Sequence, residues 1–277
     1  METINIMING LPGNVAGIMA RHAVADKHFN VMPFSLSGPE IDQTRVHIEN
    51  VEFELIKPDL RDKRIAEIQA AYPQFICIDY THPTAVNANA RFYVKNQIPF
   101  VMGTTGGDRK QLEADVQNSS TMAVIAPNMA KQIVGFQAMM EYAADSFPGL
   151  FSGYTLTVME SHQKGKADTS GTAKAVVASF QKLGVDFDVH NIQMIRDPEI
   201  QEKQWHIPKA HINGHGWHTY TLTAPDGNAL FEFKHNINGR DIYASGTFDA
   251  VRFLADKIKQ GWKGKNLFTM IDVLNRG

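Results

Sequence analysis

The stretch Ile4-Asn5-Ile6-Met7-Ile8-Asn9-Gly10-Leu11-Pro12-Gly13-Asn14-Val15 decides the fold. It reads as a short apolar strand, a glycine-rich turn and the start of a helix. On that helix Val15, Ile18, Met19, His22 and Ala23 recur at helical spacing. The glycine pattern is Gly10-x-x-Gly13-x-x-Ala16, with Gly17 next, and Pro12 stands where the usual dinucleotide fingerprint has its second glycine. Any tight strand-to-helix turn uses glycine, so the turn alone says little. Its place after the first strand of an alternating chain makes Gly10, Leu11, Pro12, Gly13, Asn14 and Val15 the expected cradle for a pyrophosphate.

The alternation continues outward. Val31-Met32-Pro33-Phe34, Val51 to Ile56, Phe75 to Asp79, Ile98 to Met102 and Met122 to Ile125 read as strands, and Ile65, Ile68 and Tyr72 share a helix face. Strands with little polar alternation, separated by helices, imply a parallel sheet covered on both faces. The expected class is α/β: a Rossmann-type, doubly wound parallel sheet. Ligands on such sheets bind at the carboxyl ends of the strands. Small or hydrogen-bonding residues fall there: Thr81 and His82; Gly103, Thr104 and Thr105; Ala126, Pro127, Asn128 and Met129. The second strand ends Phe34-Ser35-Leu36-Ser37-Gly38, with no acid for an adenosine ribose. Ser35 and Ser37 tolerate a 2′-phosphate better than a carboxylate would, so NADPH is the expected cofactor, with NADH possible. Arg45 is the nearest arginine downstream.

The second half changes character. After a helix over Gln132 to Ala144, strands are expected at Tyr154 to Met159, Phe187 to Ile192, His215 to Leu222 and Leu230 to His235. Pro225-Asp226-Gly227-Asn228 is a hairpin turn, and Phe231, Phe233 and His235 share one strand face. This is a second, α+β domain with an open mixed sheet, assigned to residues 130–240. Residues 1–129 and 241–277 form the dinucleotide-binding domain, closed by the helix from Ile242 and the segment Leu267 to Leu274. An open sheet must bury its apolar face, so a homo-oligomer, dimer or tetramer, is expected.

The chemistry concentrates in Glu160-Ser161-His162-Gln163-Lys164-Gly165-Lys166-Ala167-Asp168-Thr169-Ser170-Gly171-Thr172-Ala173. A strand leads in, and a helix with Ala175, Val176, Ala178, Phe180 and Leu183 leads out, ended by Gly184. With Thr169 or Ser170 as cap, the amides of Gly171 and Thr172 stay free, and such a helix start binds carboxylate or phosphate. His162 or Lys166 alone would read as an ordinary loop residue. The order strand, His, Lys, Ser-Gly-Thr, helix, beside a cofactor signature, points to a small acidic substrate. His211, His215 and His218 lie close together, but His215 and His218 point to opposite strand faces, so no metal is expected.

Composition bounds the rest. The 277 residues are 43% hydrophobic and 20% charged, with net charge −2, which gives no reason to expect nucleic acid or an acidic membrane as partner. No apolar run is long enough to cross a bilayer, and no signal peptide is expected before the first strand. The single cysteine, Cys77, lies in an apolar strand, reads as a core thiol and fits a reducing compartment. That compartment is the cytoplasm, or the plastid stroma for a plant or algal chain whose transit peptide has been removed.

Three motifs in order carry a family resemblance: Val101-Met102-Gly103-Thr104-Thr105-Gly106-Gly107-Asp108, Ala126-Pro127-Asn128-Met129-Ala130-Lys131-Gln132, and Glu160-Ser161-His162-Gln163 through Lys166 to Asp168-Thr169-Ser170-Gly171-Thr172-Ala173. The chain resembles the 4-hydroxy-tetrahydrodipicolinate reductases, formerly dihydrodipicolinate reductases, in their plant and cyanobacterial branch. The resemblance implies an NADH- or NADPH-dependent reduction of a cyclic imine dicarboxylate on the diaminopimelate route to lysine. It places the family's catalytic residues on His162 and Lys166 and its carboxylate-binding pair on Gly171 and Thr172. Ser170, Gln163, Lys131 and Arg240 are candidates to assist in substrate binding. Three departures stand out: Gln163 replaces a second histidine of many bacterial members, the catalytic loop is one residue shorter, and the bacterial acidic ribose residue is missing. The rivals are another two-domain NADP-dependent dehydrogenase and a non-catalytic NADP-sensing protein. The first would need a nucleophilic cysteine or lack the Gly171-Thr172 cradle; the second would lack His162 and Lys166.

Overall fold

Ile4, Ile6 and Ile8 are β-branched and favour strand, and Met7 is apolar at the centre of the opposite face. β1 (Ile4–Asn9) is accordingly buried from Ile6 onward, paired on both edges. The computed structural model describes residues 3–275. A turn at Gly10 leads into α1 (Asn14–Ala25), which buries Ala16, Ile18, Met19, Ala20 and Ala23. Gly10 has φ +108°, and a Cβ there would stand 2.3 Å from the Tyr80 carbonyl oxygen, so the turn needs glycine.

The strand expected at Val31–Phe34 is two strands. Pro33 has no N–H for a ladder, and the chain breaks there into β2 (Phe29–Val31) and β3 (Phe34–Leu36). β3 joins β4 (Arg45–Ile48) and β5 (Val51–Ile56) in a small sheet of order β3-β5-β4. The alternation then runs α2 (Arg61–Ala71), β6 (Ile76–Asp79), α3 (Val86–Lys95), β7 (Phe100–Met102), α4 (Arg109–Gln117) and β8 (Ala123–Ile125).

The next stretch holds α5 (Lys131–Ser146), β9 (Thr155–His162), α6 (Gly171–Lys182), β10 (Gln193–Ile195), α7 (Pro198–Lys203), β11 (His215–Thr223) and β12 (Leu230–Asn238). Its sheet has the order β10-β9-β11-β12, parallel at β10–β9 and antiparallel elsewhere. Leu156, Val158, Tyr220 and Leu222 pack with Met140 and Ala144 of α5 and with Ala173, Val176, Val177 and Phe180 of α6. The strand expected at Phe187–Ile192 is a 3-10 turn over Val189–Asn191. The Asp188 carboxylate accepts from the His190 N–H (2.9 Å) and turns the chain before β10 begins. β9 also runs further than expected, so His162 is the last residue of a strand.

α8 (Ile242–Lys259), β13 (Leu267–Phe268) and α9 (Met270–Leu274) complete the chain. β13 pairs with β8, giving one parallel sheet of order β13-β8-β7-β6-β1-β2. The strand order reverses between β1 and β6, so right-handed crossovers put α1 on one face and α3 and α4 on the other. Two compact units result: Met1–Lys131 with Tyr243–Gly277, and Gln132–Ile242.

Candidate functional site

In the first unit the carboxyl ends of β1, β3, β6 and β7 are tied by buried hydrogen bonds. The Asp79 carboxylate accepts from Tyr93 Oη (2.7 Å), Asn89 Nδ2 (3.0 Å), Thr81 Oγ1 (2.8 Å) and Thr104 Oγ1 (2.7 Å). Asn9 donates to Tyr93 Oη (3.0 Å) and accepts from the Leu36 amide (2.8 Å). The hydroxyls of Thr81 and Thr104 are therefore engaged within the protein. Ser35 corrects its expectation in the same way. It is fully buried, its Oγ accepts from Leu11 N (3.2 Å), and it lies near the Leu36 carbonyl (3.4 Å). Ser37 Oγ is buried with no partner among the described residues. Arg45 is ion-paired with Glu52 (2.6 Å).

Pro12, Gly13 and Asn14 are exposed where α1 begins, and α1's first amides have no intrahelical partner. That helix start fits a pyrophosphate. Gly103 is glycine for a packing reason: a Cβ would lie 2.4 Å from the Tyr80 ring, whose hydroxyl is bonded to Thr247 (2.6 Å). Thr105 beside it is exposed, and His82 caps the turn after β6 through its Nδ1, which accepts from Thr84 N (3.3 Å). Ala126 and Met129 are buried, while Pro127 is exposed and Asn128 accepts from the Ala130 amide (2.9 Å). Lys131 is in this unit, ion-paired to Asp249 (2.5 Å).

In the second unit His162, Gln163, Lys166, Ser170, Gly171 and Thr172 come together at the β9–α6 junction. His162 Nδ1 donates to the His215 carbonyl (3.1 Å), which leaves Nε2 as the lone-pair nitrogen, buried and without a partner among the described residues. Gly216, directly across the ladder, makes room for the ring, since a Cβ there would be 3.0 Å from His162 Cε1. Lys166 Nζ is paired with Asp168 (2.7 Å), and Gln163 is half-buried beside it. Ser170 is the N-cap of α6, but its side chain does not cap. Its amide donates instead to Glu160 Oε2 (2.9 Å). The next amides, of Gly171 and Thr172, have no hydrogen-bond partner among the described residues, and the space around Gly171 is open. Arg240 follows β12, half-buried, at the sheet end where His162 also lies.

Glu160 is fully buried and is held by Arg196 (Nη2 to Oε1, 2.5 Å). Next to it the rings of His162 and His218 meet edge to face (5.1 Å between centroids), and His218 stacks on His235 (4.6 Å). Burial pushes His162 and His235 down to about 4 and His218 well below its ordinary value, so all three are neutral at neutral pH. Burial also lowers His215 and raises the Cys77 thiol, which is inert in the core.

Ligand-type atoms of Glu160, His162 and His218 lie within 4.8 Å of one another. The sequence missed this convergence because it crosses two strands. The cation at that carboxylate is Arg196, and both carboxylate oxygens are already engaged. Arg196, Gln201 and Gly216 join the candidate site although sequence reasoning did not find them, and His218, set aside there with His215, is buried against His162. Only the strand parity of His218 with Gly216 offered a signal.

The fold is of the Rossmann-type α/β class, a parallel sheet joined to a second unit built on a mixed sheet. The family description "Dihydrodipicolinate reductase, N-terminus" matches residues 4–129, and "Dihydrodipicolinate reductase, C-terminus" matches residues 133–274. The chain belongs to the dihydrodipicolinate reductase family. It is 47% identical over 274 residues to 4-hydroxy-tetrahydrodipicolinate reductase 1, chloroplastic, of Arabidopsis thaliana, covering 99% of this chain and 78% of the relative. It is 45% identical to the probable reductase 2, chloroplastic, of Oryza sativa subsp. japonica, covering 98% and 83%. A dipicolinate-bound dihydrodipicolinate reductase from Paenisporosarcina sp. TG-14 shares the fold, with TM-score 0.65, 17% identity and coverage of 96% and 97%.

Proposed function

We propose that this chain reduces 4-hydroxy-tetrahydrodipicolinate to tetrahydrodipicolinate with loss of water, in diaminopimelate and lysine biosynthesis. The observation that carries the reading is the β9–α6 junction. There a buried imidazole with a free Nε2, a lysine ammonium and two unpaired helix amides share one loop.

The first unit, Met1–Lys131 with Tyr243–Gly277, is the dinucleotide-binding domain expected at 1–129 and 241–277, and the second, Gln132–Ile242, is the substrate domain expected at 130–240. The α1 start holds the pyrophosphate. Gly103 to Thr105 and Ala126 to Met129 flank the nicotinamide. The unpartnered hydroxyl of Ser37, with no acid at that strand end, favours NADPH over NADH. NADPH, when bound, supplies the hydride.

Gly171 and Thr172 amides take one substrate carboxylate, with Ser170, Gln163 and Arg240 close by on the same unit. Lys131, ion-paired to Asp249, is a further candidate for a substrate carboxylate. Hydride arrives at C4 of the dehydrated, conjugated imine, and the electron pair moves to the ring nitrogen, which needs a proton. His162 is neutral in the free protein, its Nδ1 proton committed to the His215 carbonyl. Lys166 is the cation of the pair and supplies the proton, while the neutral His162 ring at the strand end positions the substrate. The substrate is a small dicarboxylate. The apolar face of the sheet is already covered by α5 and α6, so a homo-oligomer, dimer or tetramer, would use the exposed face bearing Thr155 and Thr157. No described helix is long and apolar enough to cross a membrane. The named plant relatives are chloroplastic, and the same stroma suits this chain if its source is a plant or alga, the cytoplasm otherwise.

His162→Ala and Lys166→Ala test the assignment. Each should lower turnover by about 100-fold or more, the lower range of general acid help, while NADPH binding measured by fluorescence stays within a factor of two to three of wild type. Equal loss of NADPH affinity in both variants would move these residues out of the chemistry.

A further inference from the structure

The corner that follows β10 reaches back to both residues placed in the chemistry. Arg196 donates from Nε to the Lys166 carbonyl (2.9 Å), from Nη1 to the Glu160 carbonyl (3.3 Å), and from Nη2 to Glu160 Oε1 (2.5 Å) and the Asp168 carbonyl (3.4 Å). Gln201, fully buried on α7, donates from Nε2 to the His162 carbonyl (2.7 Å) and the Ile195 carbonyl (3.1 Å). A single planar guanidinium thus joins the strand at Glu160 to the loop at Lys166 and Asp168. An amide does the same for the strand end at His162.

The loop itself has little else to hold it. Lys164, Gly165, Ala167 and Asp168 are exposed, and within the loop the Lys166 amide donates to the Gln163 carbonyl (3.0 Å). Apart from a Thr169 hydroxyl contact to Met194 Sδ (3.7 Å), its polar ties to the body of the unit among the described residues run through Arg196. A loop held by so few contacts samples many positions, and an ammonium on a four-carbon stem must be aimed to deliver a proton. Misplacement by about 1 Å can cost 100-fold in rate.

We propose that Arg196 and Gln201 are positioning residues for the reduction: Arg196 fixes the reach of Lys166, and Gln201 fixes the seat of His162. The proposal rests on the roles given above to Lys166 and His162. It adds that the second unit holds the pair from one corner, Ile195 to Lys203, outside the motif that carries them. Glu160 is the counter-charge that keeps the guanidinium in its plane.

The test combines kinetics with amide hydrogen exchange. Arg196→Ala should lower kcat by about 30- to 100-fold, with NADPH affinity within a factor of two of wild type, and guanidinium ion added at low millimolar concentration should restore part of the rate. Arg196→Lys should be intermediate, because one ammonium cannot reach the Lys166 carbonyl and Glu160 Oε1 as a planar fork does. Gln201→Leu should lower kcat by about 10-fold and change the pH profile, since it frees the strand end that carries His162. Exchange of the 163–169 amides should quicken in Arg196→Ala whatever the substrate. Should Arg196→Ala fail to fold, Arg196→Lys carries the kinetic comparison. A kcat within twofold of wild type in Arg196→Lys and Gln201→Leu, measured well below their melting temperatures, would overturn the proposal. So would unchanged exchange of the loop in Arg196→Ala. A wild-type protein inactive on the substrate, with exchange quickened in the variant, would sink the reductase reading and leave the clamp standing.

Discussion

Glu160→Gln removes one charge and almost no volume from the most buried ion pair of the second unit. Glu160 is fully buried and the Arg196 side chain is 16% exposed, with 2.5 Å between them. Breaking a buried pair by removing one partner costs about 3–5 kcal/mol, mostly because the other charge is left uncompensated. Arg196 keeps its bonds to the Lys166 and Glu160 carbonyls, but a glutamine oxygen that accepts from the Ser170 amide turns its NH2 toward the guanidinium, donor against donor, so at least the low end, about 3 kcal/mol, applies. At roughly 2–4 °C per kcal/mol for a protein of this size class, the melting temperature should fall by about 6–12 °C. Calorimetry or circular dichroism would read it. The double variant Glu160→Leu/Arg196→Met leaves no unpaired charge and should lose less than either single variant. A Glu160→Gln melting temperature within about 2 °C of wild type, or a double variant whose loss equals the sum of the singles, would refute the reasoning.

Three further expectations follow from the geometry. Gly103→Ala puts a Cβ 2.4 Å from the buried Tyr80 ring; the overpacking should cost about 1–3 kcal/mol, seen as a lower melting temperature, and an unchanged one would mean the ring is free to move. Stability should fall as pH drops from about 6.5 toward 4, because burial holds His162, His218 and His235 neutral while their unfolded counterparts, ordinarily at 6.5, take up protons. Each proton is worth about 1.4 kcal/mol per pH unit, and urea unfolding across that range should show the slope reduced by about one proton in His218→Gln. Ser37→Asp places a carboxylate where the 2′-phosphate is proposed to sit. The ratio of NADPH to NADH efficiency should fall by about 10-fold or more, as like-charge opposition of 1.4 kcal/mol would give; an unchanged ratio would move the phosphate elsewhere.

The sheet was legible because short apolar runs such as Ile4–Ile8 and Phe75–Asp79, bounded by turn residues and alternating with helices, read as interior parallel strands. The β9–α6 junction was legible because its residues are contiguous. Boundaries failed where a single side chain decides the path: Pro33 splits a strand, and Asp188 turns the chain that was expected to run extended from Phe187. Ser35 looked available in sequence, but register buries it under Leu11. Arg196 lies 30 residues from Lys166 and 28 from Asp168, and Gln201 lies 39 from His162. No local pattern announces them, because the juxtaposition is made by β10 pairing with β9. His218 reaches His162 the same way, across the β9–β11 ladder.

The central claim, that this chain is a nicotinamide-dependent reductase of a cyclic imine dicarboxylate, is tested most directly by following nicotinamide absorbance with enzymatically generated 4-hydroxy-tetrahydrodipicolinate, first with NADPH and then with NADH. Rapid oxidation of NADPH that depends on the substrate, faster than with NADH, is the predicted result. No oxidation of either cofactor, by protein shown to bind NADPH, would contradict it.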